Sequence, residues 1–202
     1  MELKDSVKLR RDTRHFLCED VPEEVLTKAL DFAHMAPSVG LSEPWRFVVV
    51  ESPELKLEIK KNFDQSREEA EKSLSSDQER LTLHKTLKLE AIETAPVGLA
   101  VFSAQPGDEY ILGTSTKKET LNWSVACAIQ NLWLSLTEDG YSLGWVSIID
   151  YDWFQKLLDV PKEWLPLGYL CIGKPADNYD SQPMLQQKGW KNKSEKPTVL
   201  RR

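Results

Sequence analysis

The chain has little cysteine and little histidine, three of each among 202 residues. Cys18, Cys127 and Cys171 are odd in number and far apart, which excludes a disulfide framework and a cysteine zinc site. His15, His34 and His84 have no metal-ligand spacing, so no metal centre is expected. No apolar run approaches the length of a membrane helix, and the first ten residues are too polar for a signal peptide. The nine glycines form neither a G-x-G-x-x-G fingerprint, a P-loop nor a nucleophile elbow. Positive charge is also scarce: the net charge is -6 with no basic stripe, which argues against nucleic acid as a partner. The expectation is a cytoplasmic protein with no membrane partner. Residues 1–202 form one domain, with a polar C-terminal extension from about 175.

What is present reads as alternating helices and strands without repeats. Leu3 and Val7, four apart, mark a short first helix, and a second starts near Pro22 and stops at Pro37. Trp45 to Val50 is a strand rich in β-branched residues, and residues 53–94 have helical period. Val97 to Phe102 reads as a strand and Ser103 to Glu119 as a long loop. Thr120 to Asp139 is apolar around most of its circumference and predicts a buried helix, capped by Gly140. Strands follow at Tyr141 to Ile149 and Leu165 to Gly173, separated by a helix near Trp153 to Leu158. The pattern predicts a three-layer α/β/α domain. Trp190 stands alone in the tail, an anchor for a partner subunit or for its own domain.

The chemistry concentrates in "RRDTR". Arg10, Arg11 and Arg14 gather around Asp12, and guanidinium forks suit an oxyanion such as phosphate, although a solvated surface patch has the same composition. Asp12 weakens the attraction for an anion, so it either orients the arginines or has a chemical task. "APSVG" puts Pro37, Ser38 and Val39 in a turn that either only ends a helix or meets a ligand. "GWVSI" places Ser147 in an apolar strand, where it is either a backbone-satisfied hydroxyl or a site residue. From residues alone the reading ends at a small-molecule site for a phosphate-bearing ligand.

Taken together and in order, "RRDTRHF", "AHMAPSVGLSEPWRFVVV", "LKLEAIETAP", "CAIQNLWLSLTEDGYSLGWVSI", "YLCIGKP" and "KGWKNK" resemble the flavin-dependent nitroreductase superfamily. Within it they resemble the 5,6-dimethylbenzimidazole synthase branch, to which the aspartate after the paired arginines and the serine of "GWVSI" are similar. The resemblance implies an α+β fold, a three-layer sandwich around a mainly antiparallel sheet, in a homodimer with FMN at the subunit interface. It implies an oxidoreductase that fragments reduced FMN with O₂ into 5,6-dimethylbenzimidazole and erythrose 4-phosphate for the lower ligand of cobalamin. A separate flavin reductase would supply the FMNH₂. The alternatives are an NAD(P)H-dependent nitroreductase or flavin reductase, and a non-catalytic flavin-binding protein. By the same resemblance Arg10, Arg11 and Arg14 hold the phosphate, while Pro37, Ser38, Val39, Lys88, Trp145 and Val146 contact the flavin. Asp12 takes a ribityl proton and Ser147 fixes the reacting group. The neighbouring arginines are expected to favour the ionised carboxylate and lower its basicity. Glu43 stands where the family usually has glutamine, Ser42 where the branch tends to have methionine and Thr114 where arginine is frequent.

Overall fold

Two strand segments alternate apolar side chains onto both faces, and this double burial sets the architecture. The computed structural model describes residues 2–176 and 182–202. β1 (Trp45–Val50), β2 (Val97–Ala104), β3 (Ser142–Val146) and β4 (Trp164–Gly173) form one antiparallel sheet in the order β1-β2-β4-β3. Leu99 and Val101 of β2 and Leu170 and Ile172 of β4 point to one side. Ala100, Phe102, Tyr169 and Cys171, the intervening residues, point to the other.

Helices cover each face. α2 (Glu23–His34) and α5 (Thr120–Glu138) bury Leu26, Ala29, Ala33, Val125, Ile129, Leu132 and Leu136 on the first side. α3 (Pro53–Ser73) and α6 (Tyr151–Leu157) bury Ile59, Phe63 and Phe154 on the second, where Phe154 stacks on Phe102 at 5.9 Å. The three expected layers are present, and the antiparallel pairing agrees with the implied α+β sandwich. α1 (Leu3–Leu9) lies against α5, while α4 (Gln78–Thr86) and α7 (Met184–Gln187) are peripheral.

Several details differ from the sequence reading for physical reasons. Residues 87–94 are irregular although their period is helical, because Glu90 folds back to accept from the Ile92 amide at 2.8 Å. β3 ends at Val146, so Ser147 lies beyond the strand and is exposed, not enclosed among apolar neighbours. α5 buries Ser124, Val125, Ala128 and Ile129 but leaves Trp123, Cys127 and Gln130 exposed along one outward stripe. The first half of the helix is therefore covered on one side only in the single chain, whereas Leu132, Trp133, Ser135, Leu136 and Thr137 bury the second half around most of its circumference. Among the described residues, no helix is long and apolar enough to cross a membrane.

Candidate active site

β3 lies at the edge of the sheet, and its open side would present unpaired backbone groups. The Arg11–Arg14 segment covers it. The Thr13 amide donates to the Leu143 carbonyl at 3.0 Å, and Asp12 bridges Leu143 in parallel sense. The Thr13 and Ser142 hydroxyls pair as well. Asp12 then reaches one step further, where its Oδ1 accepts from the Trp145 amide at 2.9 Å. This approach needs glycine at 144, since a Cβ there would collide with the Thr13 carbonyl and the Arg14 guanidinium. The segment continues past Phe16, which bridges Pro175, and His15 accepts from the Ala176 amide at 2.9 Å.

The three arginines are not equivalent. Arg14 is nearly buried, with 9% of its side chain exposed, and one Nη donates both to Asp12 Oδ2 at 2.7 Å and to the Trp145 carbonyl at 2.8 Å. Arg11 donates to the carbonyls of Lys8 and Arg10 at 2.7 and 2.8 Å, which ties the end of α1 to the segment. Arg10 lies with its guanidinium 4.5 Å from the centre of the Trp133 ring, a cation–π contact that leaves its N–H edge open. Among the described residues, no hydrogen bond uses that edge. Burial, then the like charge of Arg11, lower the Arg10 pKa from its ordinary value against the pull of Asp12, without discharging a group of this basicity.

Asp12 behaves differently from the sequence expectation. Loss of hydration among the surrounding protein groups raises its carboxyl pKa, outweighing Arg14, the Trp145 amide and Arg10, which all favour the anion. Half of the side chain still reaches solvent, so the carboxylate is held at the protein edge with one face accessible. The arginines therefore orient it without removing its basicity.

On the face of the sheet that Gly144 turns to Arg14, Cys171 pairs with Gly144 in register, and its buried thiol is pushed up to about 12 by desolvation. The same thiol senses Arg14, Glu90 and Asp12 and lies against the backbone of Ala91. Glu90 is itself buried; one oxygen takes the Ile92 amide and the other meets Lys88 Nζ at 3.1 Å. Lys88 is thus brought to the same end of the sheet as Asp12 and Arg14. The sequence reading did not single out Gly144, Trp133 or Glu90. Only Gly144, a glycine inside an apolar strand, carries a local signal of close approach.

The nitroreductase family model matches residues 7–174. The chain belongs to the nitroreductase family. It is 39% identical over 193 residues to a 5,6-dimethylbenzimidazole synthase of Rhodospirillum rubrum, covering 95% of this chain and 90% of that one. It is 37% identical over 189 residues to a 5,6-dimethylbenzimidazole synthase of Rhodobacter capsulatus, covering 93% and 90%. Among solved structures, an oxidised iodotyrosine deiodinase bound to FMN and 3-iodo-L-tyrosine superposes with a TM-score of 0.76 at 27% identity, covering 100% of this chain and 98% of that one.

The donors of this nitroreductase-family chain fit the phosphate end of a flavin nucleotide. Arg10 offers an open guanidinium edge, held over the Trp133 ring, next to the backbone path that Arg11 and Arg14 stiffen. The Pro37–Val39 turn is elsewhere in the protomer. Val39 donates from its amide to Ser124 Oγ at 3.1 Å, nine residues along α5 from Trp133, which is about 13 Å of helix. Ser38 Oγ accepts from the Glu43 amide at 3.1 Å and keeps its proton for another acceptor. Gly40, Leu41 and Glu43 all have positive φ in this turn, a strained conformation that packing of Gly40 against Leu112 maintains. Glu43 Oε1 lies 3.9 Å from His34 Nε2, and Thr114 donates to the Ile111 carbonyl at 2.9 Å. Past β3, the Ser147 carbonyl accepts from the Tyr151 hydroxyl at 3.3 Å, and among the described residues its own hydroxyl is unbonded.

Proposed function

We propose that this chain is a 5,6-dimethylbenzimidazole synthase, fragmenting reduced FMN with O₂ to 5,6-dimethylbenzimidazole and erythrose 4-phosphate. The observation that carries the reading is Asp12: a carboxylate of raised pKa, fixed by the Trp145 amide and Arg14, with an accessible face beside an open arginine. The 39% identity over nearly the whole chain to a synthase of that name supports it. Reduced FMN, when bound, supplies the electrons for O₂. The protein's own groups then have separate tasks. Arg10 binds the phosphate, Arg11 and Arg14 hold the segment to β3, and Asp12 accepts a ribityl proton on an oxygen whose basicity desolvation raises. Ser147 donates a hydrogen bond from its free hydroxyl, Lys88 and Trp145 line the flavin end, and Val146, whose side chain is buried in the core, can face the flavin only through its backbone. FMNH₂ comes from a separate reductase, so no nicotinamide site is required.

The functional unit is proposed to be a homodimer. Met35, Leu41, Tyr110, Leu112 and Trp123 are 57–88% exposed. Packing of Gly40 on Leu112, of Gly113 on Val39 and of Val39 on Ser124 joins their loops into one apolar surface. Such a surface needs a cover, and a second copy would bring the Pro37–Val39 turn of one protomer towards the arginine segment of the other.

The test is the product profile when purified protein, FMNH₂ and O₂ are mixed, for wild type and Asp12→Asn. An asparagine oxygen can still accept from the Trp145 amide, so FMN affinity should stay within tenfold. Dimethylbenzimidazole formation should fall by about 10²- to 10⁴-fold. Rapid NAD(P)H oxidation without dimethylbenzimidazole would replace this reading with a nitroreductase one. Loss of FMN binding in Asp12→Asn would make the carboxylate a brace only.

A further inference from the structure

α4 is a helix that ought not to hold by itself. It has nine residues, below the length at which an isolated helix persists, and of these only His84 is buried. Two contacts from outside keep it in place. From α3, Arg67 donates to the carbonyls of His84 and Lys85 at 3.1 and 3.3 Å, closing the C-terminal end. Glu71 joins this clamp, meeting Arg67 Nε and His84 Nδ1, both at 3.2 Å. From the opposite end of the sequence, Trp190 packs on the helix. Its ring lies 4.6 Å below the Arg80 guanidinium and 6.0 Å from the His84 ring, so it touches two residues one turn apart.

The C-terminal segment is shaped to present that ring. Pro183 starts α7, the Trp190 amide donates back to the Leu185 carbonyl at 2.8 Å, and Gly189 has φ +75, which turns the chain towards α4. What α4 leads to is the site. Leu87 is buried immediately after the helix, Lys88 follows, and Lys88 meets the buried Glu90 beside Cys171, Arg14 and Asp12. The position of Lys88 is therefore set from one side by Glu90 and from the other by the seating of α4.

We propose that Trp190 is a latch: by holding Arg80 and His84 it seats α4 and so positions Lys88 at the flavin end of the site. The proposal rests on the reading of the site given above. It makes Trp190 a positioning residue, with no contact of its own to the reacting atoms.

The experiment uses the full chain with Trp190→Ala, Trp190→Phe, Lys88→Ala and the Trp190→Ala/Lys88→Ala double variant. Two quantities are read: amide exchange and FMN affinity. In Trp190→Ala, residues 78–90 should exchange about tenfold faster, as expected for loss of a cation–π contact with its ring burial, while β2 and β4 keep wild-type protection. Trp190→Phe, which retains an aromatic face under Arg80, should recover most of that protection. FMN affinity should fall in Trp190→Ala, but the double variant should bind no worse than Lys88→Ala alone, because the latch acts through the lysine. Unchanged exchange at 78–90 would overturn the proposal, and so would independent, multiplicative losses of affinity. If Trp190→Ala does not fold, Trp190→Phe against Lys88→Ala provides the same cycle with smaller steps. Neither readout needs turnover. Absence of dimethylbenzimidazole from the wild type would remove the synthase reading and leave the latch standing.

Discussion

Gly144→Ala is the most direct probe of how the site is built. The added methyl has no room, because the atoms it meets are the Thr13 carbonyl and the Arg14 guanidinium, one of them backbone. The Arg11–Arg14 segment must therefore lift from β3. Lifting breaks the Thr13 amide to Leu143 bond, the Thr13–Ser142 hydroxyl pair, the Trp145 amide to Asp12 bond and the Arg14 bond to the Trp145 carbonyl. Two neutral bonds at about 1 kcal/mol and two involving a charge at about 1.5 kcal/mol sum to about 5 kcal/mol. That is comparable with the lower end of a domain's whole stability, but the apolar layers on both faces of the sheet are untouched. The expected result is a folded protein with a detached arginine segment. FMN affinity should drop at least about tenfold, since Arg10 loses the docked segment that aims its charge-assisted contact at the phosphate, and riboflavin affinity should drop far less. Flavin fluorescence titration with both ligands gives the ratio, and urea unfolding followed by far-UV circular dichroism gives the stability. Wild-type FMN affinity in Gly144→Ala would refute the docking of the segment on β3 as the basis of binding.

Arg10→Ala should weaken FMN by about tenfold or more while leaving riboflavin and the unfolding midpoint nearly unchanged, because only its open edge is free for phosphate; equal losses for the two ligands would exclude that role. Cys171 gives a pH signature. Its folded pKa is raised to about 12, so above the ordinary thiol value near 8.5 the unfolded chain loses a proton that the native chain keeps. Stability should then fall with rising pH, by at most about 1.4 kcal/mol per pH unit from this group, and Cys171→Ala should flatten that slope. A thiol reagent at pH 8 should leave Cys171 unmodified in the native protein. In sedimentation, flavin-loaded protein at micromolar concentration should run as a dimer, and Trp123→Glu should shift it towards monomer.

Legibility in the sequence followed the range of the forces involved. β1 begins and ends as its aromatic and β-branched composition predicts, and the three layers follow from apolar period alone. Residues 87–94 do not follow their helical period, since the buried Glu90 carboxylate bonds two residues either way, to Lys88 and the Ile92 amide, in a local turn that competes with the helix and that apolar period does not register. The same holds in the site. The density of arginine around Asp12 was visible, but the division of labour was not: Arg14 is turned inward by a strand about 130 residues away, and Arg10 is left open by a tryptophan on α5. The Pro37–Val39 turn was visible as a turn, and its distance from the arginines became apparent only once α5 was seen to run between them. Trp190 reads in the sequence as an isolated anchor, and its seat on α4 of the same chain is a contact that spans about half the sequence.

The cover on β3 has one more effect. A strand at the end of a sheet is a template for any other extended chain, and here the cover is the short piece that continues directly from Arg10, the arginine proposed to meet the phosphate. Damage to that piece uncovers the backbone of Leu143 and Trp145 at the moment it removes the ligand's anchor. Solubility and cofactor retention are thereby coupled. Variants that lose FMN through this segment should fold but self-associate as protein concentration rises, whereas variants that lose it through Arg10 alone should keep the wild-type association state.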